Sequence, residues 1–259
     1  MKKYSVLLLG FGMLLLSGCS NDALNDYSKS LTSQEVQVQM EANSATEGLD
    51  EMLSQLLITN KVGSTNKTNT DCAALSFVGK SISVVYNQCV VDGNTVNGTL
   101  TLTAKEGNTE GTTGSFEISF NSFAYNNYVL EGTKSMVFDF SQANKLVFTI
   151  DTNMKFVDAN DLVTTHKGSK IYTWNIDNFN TEGADVSCSG AWDIVRNATT
   201  YKFKIDTPLT GKIGCAYITT GVLALEVEGL SASLDFGDGD CDQKGTVNYP
   251  NGKSEEISW

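Results

Sequence analysis

The densest run of potential ligands in the chain is Asp235-Phe236-Gly237-Asp238-Gly239-Asp240-Cys241-Asp242, four carboxylates on a glycine-flexed stretch. Hard oxygen donors grouped in this way suit a calcium ion, and mutual repulsion among the carboxylates favours a cation between them. Asp238, Asp240 and Asp242 alternate like the first half of an EF-hand loop, but Gln243 stands where that loop needs glycine and Tyr249 where it needs a bidentate glutamate. The pattern therefore falls short of an EF-hand. The competing expectation is a tight turn in which Asp and Gly serve backbone geometry. Calcium at Asp235, Asp238, Asp240 and Asp242 is the one metal expectation the chain raises, and no motif requires a cofactor.

Catalytic chemistry has few candidates. His166 is the only histidine. It lies between Thr165 and Lys167 in a polar stretch after Asp158 and Asp161, with no nucleophile motif beside it, so it is expected on a surface loop and not as a general base. An acidic chain could hold a carboxylate pair for glycoside hydrolysis, but no individual pair stands out. Trp174, Trp192 and Trp259 with Tyr172 and Tyr201 offer either a sugar-stacking platform or ordinary core and edge packing, and packing is the expectation. No catalytic residue is assigned. Gly-rich phosphate loops and nucleic-acid signatures are absent from the sequence.

The amino end carries an address. Lys2 and Lys3 precede an uncharged apolar run, Val6 to Leu16, which closes on Leu16-Ser17-Gly18-Cys19. The charge order and small-residue close are those of a secretory signal, expected over residues 1–18. The run is much shorter than the roughly 20 residues a helix needs to cross a bilayer. Leu-Ser-Gly-Cys at this position resembles the lipobox of bacterial lipoproteins. That resemblance implies cleavage before Cys19, a diacylglycerol on its thiol and an acyl chain such as palmitate on its new amino group. Two or three chains hold a protein stably at a membrane, whereas one binds marginally. Residues 19–32, polar and without periodicity, would then be a lipidated tether. Ser20 is not Asp, which by the enterobacterial sorting rule implies the outer membrane of a bacterial cell envelope.

Charge fits an exported protein. The chain carries −12 at neutral pH, and about −14 once Lys2 and Lys3 leave with a signal peptide. Such a surface argues against nucleic acid as a partner and against electrostatic adhesion to anionic lipid. In an oxidising compartment the five cysteines after Cys19 point to disulfides, since no zinc-type C-x-x-C spacing occurs. The expected pairs are Cys72 with Cys89 and Cys215 with Cys241; closing the first loop contributes about 3 kcal/mol. Cys188 is left over, and its pairing with Cys215 or Cys241 stays open because sequence does not determine connectivity.

Two kinds of element must position these residues. Residues 33–60 form an amphipathic helix: Thr32 and Glu35 have the form of a capping box, Leu49, Met52, Leu53, Leu56 and Leu57 fall at helical spacing, and Val36 and Met40 extend the stripe. Its expected role is to cover a sheet. Residues 71–259 switch to period two. Leu100, Leu102 and Ala104; Phe116, Ile118 and Phe120; Met136, Phe138 and Phe140; Leu146, Phe148 and Ile150; Tyr201, Phe203 and Ile205; Leu223, Leu225 and Val227 each alternate with polar residues. Each set predicts a strand with one apolar and one wet face. Asp92-Gly93-Asn94, Asn97-Gly98, Asn126-Asn127 and Asn251-Gly252 supply turn chemistry. Gly98, Gly114, Gly132 and Gly168 are each expected to open a strand. The fold class is all-β, an antiparallel meander closing as a curved sheet, a sandwich or a barrel, with one helix at its amino end.

The stretch from Cys215 to Lys253, with its Phe236-Gly237-Asp238-Gly239-Asp240-Cys241-Asp242 core, resembles the carboxyl end of uncharacterised lipoproteins common in Bacteroidota. The resemblance implies a long antiparallel β structure on an anchor and brings no activity. The expectation is a lipid-anchored envelope protein that binds an envelope protein, a glycan or a lipid, or acts structurally, through a broad β surface. The alternatives are a surface polysaccharide hydrolase using loop carboxylates, and a lipid carrier with an open apolar groove.

Overall fold

Period-two alternation dominates the chain after residue 72, and the fold follows from it. The computed structural model describes residues 31–32, 36, 48–50, 52–53, 72–91, 93–175, 185–212, 215 and 218–258. The expected signal peptide, Cys19, nearly all of the tether, Trp259 and most of the 33–60 helix lie outside these residues.

Thirteen strands follow in order: β1 (Ala73–Val78), β2 (Ser81–Val91), β3 (Asn94–Gly107), β4 (Thr113–Tyr125), β5 (Tyr128–Asp139), β6 (Lys145–Val157), β7 (Val163–Asn175), β8 (Asp185–Arg196), β9 (Thr199–Lys212), β10 (Ile218–Val227), β11 (Leu230–Asp238), β12 (Lys244–Asn248) and β13 (Ser254–Ser258). Each is antiparallel to the next, and spatial order is sequence order. This is the meander the alternation implies. The sheet does not close: β1 and β13 are its two edges, so it is an open sheet and not a barrel.

Register carries the two-faced pattern across the whole sheet. One row of directly paired residues reads Ile82, Leu102, Ile118, Lys134, Thr152, Gly168, Trp192, Phe203, Leu225 and Ala232. The next row, on the opposite face, reads Ser83, Thr101, Ser119, Thr133, Asn153, Lys167, Asp193, Lys202, Glu226 and Ser231. The first row faces the core and the second faces water.

The core lies on the inner face in two clusters. One combines Leu100, Leu102, Ile118, Met136, Phe148, Ile150 and their neighbours on β2 to β6 with Leu49, Met52 and Leu53. The other combines Trp192, Phe203, Leu225, Leu234 and Val247 with Leu31 and Val36. Val36, Gly48–Asp50, Met52 and Leu53 are helical, and the Val36 N–H donates to the Thr32 carbonyl at 3.1 Å. Covering the sheet is thus what the described helical residues do. Leu31, within the stretch expected as a tether, is buried in the second cluster.

Both expected disulfides are present, Cys72–Cys89 and Cys215–Cys241, with Cα separations of 5.3 and 5.7 Å. Cys188 belongs to neither; it is half-buried on β8 and packs against the second cluster. Turns form at Asn126 and at Asn251-Gly252, as their chemistry implies. Asn97-Gly98 does not turn: it lies inside β3 at a register shift, because a left-handed glycine (φ 96°) can also serve a bulge. Gly132 and Gly168 likewise lie inside strands instead of opening them. Gly168 is needed for close approach, since a Cβ there would collide with the Ala191 carbonyl oxygen and the Trp192 backbone.

That contact generates a prediction. Gly168→Ala forces β8 away from β7 at the row that carries Trp192, and overpacking of this kind costs about 3 kcal/mol. A urea denaturation series should show the midpoint fall with the m-value unchanged.

Candidate functional site

Two features on opposite faces of β3 to β8 could take part in function. The inner one interrupts a largely apolar surface, in which Thr152 is also buried beside Lys134. Lys134 on β5 has the strand parity of Leu130 and Met136, and His166 and Lys170 on β7 share the parity of Gly168 and Tyr172. All three point to the core, with Lys134 1% exposed and His166 and Lys170 3% each. Asp50 meets them from the covering helical turn at 1% exposure.

The contacts tie the group together. Lys134 Nζ forms a buried ion pair and hydrogen bond with Asp50 Oδ1, and Tyr172 Oη donates to Asp50 Oδ2 at 3.4 Å. Lys170 Nζ sits 4.2 Å from the centroid of the Trp192 ring, a cation–π contact. Trp192 stacks on Phe203 with centroids 5.2 Å apart and planes within 7°. The His166 ring lies 6.3 Å from the Trp192 ring, and neither His166 nitrogen has a hydrogen-bond partner among the described residues. Because Gly168 has no side chain, the indole can lie over the gap between His166 and Lys170.

Electrostatics follow from burial. Desolvation pushes the Lys134 ammonium below the usual lysine range, with Lys170 pushing the same way and Asp50 opposing both. His166 is held down to about 2 by desolvation first and by the Lys170 and Lys134 charges second, so its imidazole is neutral at any physiological pH.

His166 was expected on a surface loop. Instead it lies in the middle of β7 with its ring in the core. Local polarity misled here, because the flanking Thr165 and Lys167 belong to the wet face of the same strand. Lys134, Lys170 and Asp50 were not anticipated at all. The available signal was parity: Lys134 lies two residues before Met136, in register with a set already read as inward, and Asp50 lies between Leu49 and Met52.

The outer feature is a shallow trough of about 740 Å³ across β3 to β7, lined by Lys105, Glu117, Thr133, Ser135, Asp151, Asn153, Lys167 and Ser169 among others. Lys105 and Glu117 pair across it at 2.6 Å, and Ser135 Oγ donates to Asp151 at 3.4 Å. Short hydroxyl side chains on its floor keep the surface low between the longer charged ones.

The acidic stretch runs from the end of β11, which holds Asp235 and Asp238, into the connection to β12, which holds Asp240 and Asp242. Asp235 Oδ1 accepts from the Gly237 N–H at 2.9 Å, and Lys212 Nζ donates to the Gly239 carbonyl at 2.7 Å, bringing an ammonium to the loop. Asp235, Asp238, Asp240 and Asp242 are not gathered round a point, and no group of three or more His, Cys, Asp or Glu among the described residues is placed to hold a metal ion. The aromatics expected as either a platform or packing are packing: Trp192 is buried on Phe203, Tyr172 and Trp174 lie against the first cluster and Tyr201 against the second. No helix among the described residues is long and apolar enough to cross a membrane.

His166 makes stability depend on pH. Its folded pKa lies below the ordinary value of 6.5, so between pH 6.5 and about 2 the unfolded chain binds the extra proton. Stability is fully present above pH 6.5 and falls as pH drops, by about 1.4 kcal/mol per unit. Urea midpoints at pH 6.5 and 4.5 should therefore converge for His166→Phe relative to the wild type, removing about 2.3 kcal/mol of the acid loss. Comparison of the chain with protein-family models, with curated proteins and with solved structures found no match.

Proposed function

We propose that this is a lipid-anchored bacterial envelope lipoprotein, held by acyl chains on Cys19 at the outer membrane, that works by contact through the outer face of its sheet and not by turnover. The observation that carries the reading is the division of the sheet. Leu31, Val36, Leu49, Met52 and Leu53 pack on one face, while the other is mostly Ser, Thr, Asn and charged residues with a few exposed aliphatics such as Val137 and Ile171, and carries a trough across β3 to β7. A surface of this kind offers hydrogen-bond donors and acceptors at the regular spacing of strands, about 4.8 Å. It suits a polar partner of the envelope, a protein or a glycan. The lipobox-like Leu16-Ser17-Gly18-Cys19 supports the anchor.

Two outcomes test this. Cys19→Ser should move the protein from the membrane pellet to the soluble fraction after carbonate washing, because the apolar run before it is too short to anchor on its own. Ser135→Trp with Ser169→Trp fills the trough at solvent-facing positions. It should leave the thermal midpoint nearly unchanged and reduce envelope crosslinks from a photoreactive group at Thr133 about tenfold; undiminished crosslinking would remove the trough from the contact surface.

A further inference from the structure

Ammonium and carboxylate ions do not condense in water, because the ammonium has no lone pair to attack with and the carboxylate has no leaving group. Burial removes both obstacles: a charged pair taken out of water is costly, and it neutralises by passing a proton from nitrogen to oxygen. Lys134 and Asp50 meet that condition. Their side chains are 0% and 2% exposed, and they touch across 84 positions of chain, one on β5 and the other on the helical turn that faces it. Asp50 is the one carboxylate among the buried described residues.

The pair is arranged as reactants are. Lys134 Nζ is in direct contact with Oδ1, so Asp50 Cγ, one bond further on, falls within the roughly 3–3.5 Å of a near-attack pair. Desolvation, with the Lys170 charge pushing the same way, favours the neutral amine at Lys134, the form that carries the lone pair. Tyr172 Oη donates to Oδ2 at 3.4 Å, the oxygen on which negative charge would build as nitrogen adds to Cγ. Lys170, the other buried amine, is placed differently, with its Nζ over the Trp192 ring.

We propose that Lys134 and Asp50 become joined by an intramolecular isopeptide bond, formed by the folded chain itself. Lys134 first gives a proton to Oδ1 of Asp50. Its nitrogen lone pair then adds to Cγ, forming the C–N bond, while the Cγ=O electrons move onto Oδ2 under the Tyr172 hydroxyl. As that C=O re-forms, the Cγ–Oδ1 bond breaks and the hydroxyl leaves with a second proton from nitrogen. An ammonium and a carboxylate thus become one amide and one water. Nothing is oxidised or reduced, and no co-reactant is needed. Fixing the two groups replaces the concentration that amide formation needs in solution, since oriented intramolecular reactions reach effective molarities of about 10⁵–10⁸ M. Exclusion of water from the same spot then protects the amide from hydrolysis.

The bond ties the helical turn to the sheet at β5. In a chain anchored at Cys19, a pull on the amino end passes from residue 50 directly to β5 without loading β1 to β4. That consequence rests on the anchor proposed above; the bond does not, and either can fail alone.

Intact-mass measurement of the full chain carrying Cys19→Ser, denatured and with both disulfides reduced, tests the proposal. The folded protein should be lighter than its sequence specifies by one water, and a protease digest should contain a branched peptide joining the segment around Asp50 to the segment around Lys134. Lys134→Met and Asp50→Ala should each show the full mass of their own sequence. Asp50→Asn is the sharper variant: ammonia leaves in place of water, so its product should have the same mass as the wild-type product. Chain recovered unfolded from inclusion bodies and then refolded supplies a time course, in which Tyr172→Phe should slow the mass change at least tenfold; an unchanged rate would overturn the role of the hydroxyl. The wild-type mass is decisive even where a variant does not fold. Full sequence mass in the folded wild type, loss of water that persists in Lys134→Met, or a branched peptide through a different lysine would each overturn the bond.

Discussion

A sheet that is apolar on one side and never closes on itself exposes that side to water unless another element lies on it. Everything else in this structure depends on that cover. Leu31 and Val36 lie on the half of the sheet formed by β8 to β13, and Leu49, Met52 and Leu53 on the half formed by β2 to β7. These described residues cover parts of both halves, and each core cluster includes what they contribute to its half. Burial of a leucine-sized side chain contributes about 1.5–3 kcal/mol, so these few residues account for a large part of the margin by which the fold is stable.

The cover also explains where the charges sit. Two apolar surfaces sliding on one another have no preferred register, because the hydrophobic effect is non-directional. A buried pair such as Lys134 and Asp50 is directional, and it holds the turn at one place on the sheet. The cost falls on the same groups: desolvation drives Lys134 down and leaves His166 neutral, with neither ring nitrogen hydrogen-bonded among the described residues. Trp192 contributes by giving Lys170 an aromatic face, and it reaches that place only because Gly168 leaves the space.

The meander itself needs little explanation beyond local pairing. Every strand pairs with its chain neighbours, so each hairpin forms from contacts close in sequence, the topology with the smallest loop-closure cost. The two disulfides follow the same logic, joining positions 17 and 26 residues apart near the ends of the strand array. The edges differ in character. β13 carries Glu255 and Glu256, charges that discourage further pairing, whereas β1 leaves Leu75 and Phe77 exposed at 43% and 66%.

The sequence by itself determined the all-β class and most strands with their inward and outward faces, because these follow from a local period; short spacing favoured the two disulfide pairs that form but left the partner of Cys188 open. Leu100, Phe148, Phe203 and Leu225 lie inside as their alternation required. The tertiary structure alone decided that the sheet stays open, that Asn97-Gly98 makes a bulge and not a turn, and that Lys134, His166, Lys170 and Asp50 meet. Those outcomes depend on residues up to 122 positions apart in the chain, such as Asp50 and Tyr172, coming together. No window of local composition contains such a pairing, and polarity read along one strand places an inward lysine or histidine in water when the register of the strands places it in the core.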